Sequence, residues 1–356
     1  MLRPKTDLEL ARHIIDYNPD DPKTHAVWTL PQSMMARRSD LKPVPWPASL
    51  APKPQPLKGK FGADDPLPKT DVLVVTWTVA EGQALSDVLT PGYRSDQDWY
   101  TYSHLYSDYV SLIRKGAPAS DEKYLAKFFP VKIGGKNVIC AKSNLHLSQD
   151  GPKMPIQKLW NQMIAETGAT LVITTGTAGA VDAAARLGDV VVGRTVVFDC
   201  NKTFKNASFN GQRYNAPNAV PSKNFSVARS KLLPVNASQL PGPARTAAIF
   251  YQPPKSPSID GVVTTDFFAF GNTTNTYGLQ GKGATVEMGD AVLGLVAKTL
   301  GNKAPAWLAI RNASDPEING KLTPKEQNQQ AAQIYEHYGY WTTVNSAIVC
   351  WAVIAA

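Results

Sequence analysis

From Thr70 onward, short apolar runs alternate with stretches in which apolar positions recur every three or four residues. The run VLVVTW (Val72 to Trp77) is apolar at nearly every position, the mark of a strand covered on both faces, and AEGQALSDVL after it has helical spacing. PVKI and NVICA flank a Gly134–Gly135 turn, PIQKLWNQMIAET (Pro155 to Thr167) reads as an amphipathic helix, and LVITT (Leu171 to Thr175) as the next strand. VVVGRTVVF, GVVTT and AWLAI (Ala306 to Ile310) are further strands, with helices expected at Gly289 to Leu300, Pro324 to His337 and Trp341 to Ala356. This alternation predicts an α/β chain: a single three-layer domain over residues 71–356, its central mixed, twisted sheet flanked by helices.

Two stretches break the pattern. Residues 1–70 hold 12 of the 28 prolines, six between Pro43 and Pro56, which excludes helix interiors and central strands there. That stretch is expected to be a Pro-rich N-terminal extension, with a short helix from Leu8 to Tyr17. It reads as an arm wrapped over the main domain or, on a sharper reading, as a lid. Residues 201–258 turn to Asn, Pro and Ser and predict a long loop or insertion with minor strands.

Composition narrows the class without choosing within it. The 356 residues are 43% hydrophobic and 19% charged, enough for a large core. Net charge is +8, from 37 basic and 29 acidic residues, but no run or stripe of Lys and Arg concentrates it, so no nucleic-acid partner is expected. The N-terminus lacks an apolar leader, and the longest apolar run, Ala347 to Ala356, is half of the roughly 20 residues a bilayer span needs. No membrane partner and a cytoplasmic location are expected. Cys140, Cys200 and Cys350 are odd in number and far apart, and the histidines lack partners at ligand spacing, so no metal and no cofactor is expected.

Candidate chemistry lies in a few motifs. TTGTAGAVDAAARLGDVVVG (Thr174 to Gly193) puts glycines after a buried strand, where open α/β sheets place ligands. Downstream come GVVTTDFF (Gly261 to Phe268), ATVEMGDAVLGLV (Ala284 to Val296) and AIRNASD (Ala309 to Asp315). Together with Glu81, their order and spacing resemble the purine nucleoside phosphorylase and nucleosidase superfamily, most closely the bacterial methylthioadenosine and adenosylhomocysteine nucleosidases, over about residues 70–356.

That resemblance implies a nucleoside phosphorylase-like fold and a small-molecule purine nucleoside, adenosine-type with a 5′-thio group as one candidate, in a homo-oligomer (dimer or higher). It makes Asp315 the acid that protonates the leaving purine, with Ser314 orienting it, and Glu81 the carboxylate that positions water, near Arg311, Thr177 and Gly176. Phe268 would stack on the base, and Glu287 and Met288 would meet the sugar. The residues alone leave other readings open: Glu81 as a surface helix-start carboxylate, Arg311 as a structural ion-pair partner, Phe268 as core. Where the family has a second glutamate, this chain has Gly289, which leaves Asp290 as the candidate for the ribose hydroxyls. Lys142 and His146 read better as a polar strand-end loop.

Phosphorylases of this family place one arginine before the glycine turn and another near the first strand. Here Thr174 takes the first place and TWTVAEGQAL offers none, so hydrolysis is expected. The alternatives are a phosphorylase that recruits Lys142, Arg194 or Arg213, and a non-catalytic nucleoside sensor on the same scaffold.

Overall fold

A computed structural model describes residues 6–25, 38–182, 184–241, 247–251, 261–269, 275, 277–315 and 324–356. Helix α1 (Asp7–Asp16) opens on a capping box: Thr6 Oγ1 accepts from the Glu9 amide at 3.2 Å, and the Glu9 carboxylate from the Thr6 amide at 3.0 Å. The chain then supplies β1 (Lys53–Pro54), β2 (Val72–Thr76), α2 (Val79–Leu89), β3 (Tyr100–Tyr102), α3 (Pro118–Glu122), β4 (Ala126–Ile133), β5 (Lys136–Ser143) and α4 (Pro155–Thr167). Next come β6 (Leu171–Ala180), β7 (Val190–Gly193), β8 (Thr195–Phe198), β9 (Arg213–Asn215), the single turn α5 (Phe225–Val227) and β10 (Ile249–Tyr251). The last are β11 (Gly261–Thr264), β12 (Thr285–Glu287), α6 (Asp290–Leu300), β13 (Ala306–Asp315) and α7 (Pro324–Ile354).

The strands form one mixed sheet, with β5, β2, β6 and β13 parallel at its centre and the path β1-β4-β5-β2-β6-β12-β11-β8-β9 running to its edges. Strand alternation sorts the core into two layers. Leu73 and Val75 face α4 and α6 with Trp160 and Val296, whereas Val72 and Val74 face α2 and α7 with Leu85 and Trp351. This is the three-layer α/β arrangement that the apolar runs predict.

Among the described residues, the Pro-rich segment joins the sheet only at its edge, where Pro54 of β1 pairs with Val131 of β4. A residue without an N–H is tolerated there. Nearby, Trp46 packs on Trp351 at 4.9 Å, and the Trp351 indole donates to the Leu50 carbonyl at 2.7 Å.

Three local expectations change. The glycine segment is not a turn at Thr174: β6 continues to Ala180, because β13 pairs with it in register from Leu171 to Ala178. VVVGRTVVF is two strands that part at Arg194, β7 pairing with β13 and β8 with β11. The two C-terminal helices are one, α7, since Gly339 is not a stop but a close-packing point; a Cβ there would stand 2.9 Å from the Tyr335 ring.

Candidate active site

Because β5, β2, β6 and β13 run parallel, their C-terminal ends emerge along one edge: Thr76 lies beside Lys142, and Gly176 beside Arg311. Segments following these strands, and those after β11 and β12, line one cavity. Its wall includes Glu81, His146, Thr177, Gly179, Phe268, Glu287, Met288 and Arg311. This is the position where open α/β sheets hold ligands.

Glu81 is the third residue of α2 and closes a second capping box, accepting from the Thr78 amide at 3.0 Å while its own amide donates to Thr78 Oγ1 at 3.1 Å. It is nonetheless buried, at 2% exposure. The same oxygen accepts from Thr76 Oγ1 at 2.6 Å and the Trp77 amide at 3.0 Å. The other crosses to β6 and accepts from the Thr177 amide at 2.7 Å and Thr177 Oγ1 at 2.6 Å. Burial by itself would raise the carboxyl's pKa, but the Arg311 charge and hydrogen bonds from Thr177, Thr76 and Thr78 hold it below the ordinary range. Gly176 makes room for this crossing. Its φ is +139°, and a Cβ would stand 2.4 Å from Glu81 Oε1.

Arg311, on β13, is likewise buried. Its guanidinium forks onto Asp290, Nε to Oδ2 at 2.8 Å and Nη2 to Oδ1 at 2.5 Å, and lies over the Trp77 ring at 4.7 Å. Burial opposes its charge, but the Asp290 and Glu287 carboxylates raise its pKa. Asp290 does not line the cavity; its carboxylate is occupied by Arg311. Glu287 does line it. Its Oε1 accepts from Thr264 Oγ1 and the Asp290 amide, and Oε2 stands 3.4 Å from Arg311 Nη2. Burial first, then the Asp290 charge, push its pKa up. One cavity thus carries two carboxyls shifted in opposite directions.

Among the other expected residues, Phe268 and Met288 sit on the wall, whereas Ser314 is buried with its hydroxyl 3.4 Å from the Ala178 carbonyl. Asp315 ends β13 with its backbone opposite Gly179, and its side chain lies outside the described residues. Lys142 donates to Asn144, Arg194 to the Ala216 carbonyl and Arg213 to the Lys282 carbonyl; none of the three lines the cavity.

His146, expected as part of a polar strand-end loop, lies on the wall. The signal was topological: β5 neighbours β2 in parallel, so the residues after Ser143 emerge beside those after Thr76. The Ser148 amide donates to His146 Nδ1 at 3.3 Å, which assigns the ring hydrogen of the neutral form to Nε2. Burial pushes the imidazole down to about 4. Ile14, Ile15 and Tyr335 also reach the wall from outside every motif in the sequence.

Among the described residues there is no group of three or more His, Cys, Asp or Glu that could hold a metal ion, and no helix long and apolar enough to cross a membrane.

A model of the phosphorylase superfamily matches residues 103–336. No curated protein matches the chain. Two solved Helicobacter pylori structures, an MTAN mutant with 5′-methylthioadenosine in its active site and the 5′-methylthioadenosine/S-adenosylhomocysteine nucleosidase with butyl-thio-DADMe-Immucillin-A, are each 13% identical. Each aligns over 81% of this chain and 99% of its own, with TM-score 0.50. The Neisseria meningitidis nucleosidase with methylthio-immucillin-A is 16% identical over 80% of this chain and 98% of its own, with TM-score 0.49. At these identities the likeness is one of fold.

Proposed function

The chain belongs to the phosphorylase superfamily, and from that premise we propose that it hydrolyses the N-glycosidic bond of a purine nucleoside, adenosine-type, to release the free base. The observation that carries this reading is the state of Arg311. It is the one Lys or Arg on the described cavity wall, and Asp290 already takes its fork. An attacking phosphate needs cations with unspent donors, whereas water needs only orientation.

Hydrolysis builds positive charge on the ribose and negative charge on the departing purine. Glu81, kept ionised, would stabilise the ribose cation. Its five hydrogen bonds fill the roughly four lone-pair sites of a carboxylate. A carboxylate so satisfied is a weak base, so the water would be held by donating to Thr177 Oγ1, whose own hydrogen goes to Glu81, and the proton the water loses on bonding the ribose would pass to solvent. Glu287, whose Oε2 is less engaged, takes over from Asp290 as reader of the ribose hydroxyls. Phe268 would stack on the base and Asp315 protonate it, as the family resemblance implies.

A nucleoside panel assayed for free base, with and without phosphate, tests the reading. Base release in phosphate-free buffer is expected. Turnover only with phosphate or arsenate would make the protein a phosphorylase, and binding without turnover would make it a sensor.

A further inference from the structure

Trp77, between β2 and α2, is a wall residue of the cavity and only 3% exposed. It is held from several sides: the Arg311 guanidinium lies over its ring at 4.7 Å, the Trp160 ring meets it edge to face at 6.3 Å, and its amide donates to Glu81 at 3.0 Å. Yet its indole Nε1 is buried without a hydrogen-bond partner among the described residues. A buried N–H left unpaired costs free energy, and folded chains carry few of them. On a cavity wall it marks a donor that lacks its acceptor. Gly289 shows what stands next to that donor. A Cβ built there would lie 3.4 Å from Trp77 Cζ2, 3.6 Å from Trp77 Cε2 and 3.6 Å from Glu287 Oε2. Cε2 is the ring carbon bonded to Nε1, so the N–H edge of the indole and the less engaged oxygen of Glu287 flank one point. Arg311 closes the cluster, its Nη2 3.4 Å from that oxygen.

We propose that Trp77 is a specificity-determining residue of the nucleoside site, its indole N–H donating to the ribose 2′ hydroxyl that Glu287 also contacts; this rests on the nucleosidase reading above. The sugar rather than the base is the partner because the indole edge shares its point with Glu287, the reader of the hydroxyls. Of the hydroxyls it is the 2′, since the Trp77 amide binds Glu81, which that reading sets at the anomeric carbon, and the 2′ oxygen is carried by the neighbouring carbon. An indole nitrogen only donates, whereas a hydroxyl oxygen has two lone pairs and a hydrogen of its own. One hydroxyl therefore accepts from Trp77 and still engages Glu287 from its other side. A sugar without it leaves the N–H unpaired, and the site rejects that sugar for this reason rather than by shape.

The test measures kcat/KM for adenosine, 2′-deoxyadenosine and 3′-deoxyadenosine on the full chain, as wild type and as Trp77→Phe, which keeps an aromatic face under Arg311 and removes the N–H. The variant is expected to lose about 3-fold to 10-fold on adenosine and on 3′-deoxyadenosine, the scale of one neutral hydrogen bond, and less than about twofold on 2′-deoxyadenosine. Each ratio between sugars is taken on one preparation, so partial misfolding cancels from it. Glu287→Ala is expected to spare the same sugar. Equal losses on all three substrates would make Trp77 a packing residue, no loss on any would leave its N–H without a substrate contact, and sparing of 3′-deoxyadenosine instead would place the contact on the other hydroxyl. Each of these overturns the assignment while leaving the nucleosidase reading intact. A wild-type chain that releases base from none of the three removes the reading itself, and this inference with it.

Discussion

Gly176 and Glu81 meet so closely that no side chain fits between them: a Cβ on Gly176 would stand 2.4 Å from the Glu81 carboxylate oxygen that holds Thr177. At φ +139° the backbone is also one that only glycine adopts without strain. Gly176→Ala is therefore expected to destabilise the fold by about 1–3 kcal/mol and to depress base release further, because Glu81 must leave Thr177. Thermal unfolding and turnover measured on the same preparation check this. Unchanged turnover would mean that the Glu81–Thr177 contact is dispensable.

Asp290 and Glu287 are expected to separate cleanly. Asp290→Ala strips Arg311 of its buried partner and should cost about 3–5 kcal/mol, with equal loss on ribo- and 2′-deoxynucleosides. Glu287→Ala should penalise ribonucleosides selectively, by about 0.5–1.5 kcal/mol, the scale of a neutral hydrogen bond, since burial keeps the Glu287 carboxyl's pKa raised. Steady-state kinetics on matched sugar pairs decide it; selectivity in Asp290→Ala instead would return the hydroxyl contact to Asp290.

Glu81 also shows how far the sequence reaches. The Thr78-x-x-Glu81 spacing at the start of an apolar-patterned helix announces a capping box, and α2 begins there. That the second oxygen reaches Thr177 depends on β2 and β6 lying side by side, which no local pattern states. The apolar runs were legible as strands because burial on both faces leaves them no polar positions. The Asp290–Arg311 fork was not, since partners 21 residues apart meet only once α6 and β13 are packed. His146 and Ile14 fail for the same reason: each is ordinary in its own segment and becomes part of a wall through the sheet order or through the docking of α1.

His146 should leave a mark on the pH dependence of stability. Its folded pKa is depressed by burial to about 4, against an ordinary 6.5, so the unfolded chain binds the extra proton first. Its contribution is whole above pH 6.5 and is lost as pH falls towards 4, amounting to about 3 kcal/mol. Glu81, also depressed, contributes above its ordinary 4.5 and loses that contribution only as pH falls below it. The two windows are thus distinct. Denaturant titrations at pH 4.5 and 7 should show a smaller difference for His146→Gln than for the wild-type chain. An identical difference would mean that the imidazole is charged or solvated in the folded state.

Asp315 ends β13 opposite Gly179, a residue of the cavity wall, which brings the strand's last backbone to the site. If its carboxyl protonates the leaving purine, Asp315→Asn keeps size and hydrogen bonding but removes the transferable proton. Turnover of an ordinary purine nucleoside should then fall by roughly 100-fold to 10,000-fold. A nucleoside with an activated leaving group departs without protonation, so on that substrate Asp315→Asn should lose far less. Glu81→Gln should be impaired on both, because stabilising the ribose cation is required whichever base leaves. A pocket that is merely disrupted would slow both substrates alike in both variants, which separates lost chemistry from lost folding. Near-normal turnover of ordinary purine nucleosides by Asp315→Asn would show that another group supplies the proton.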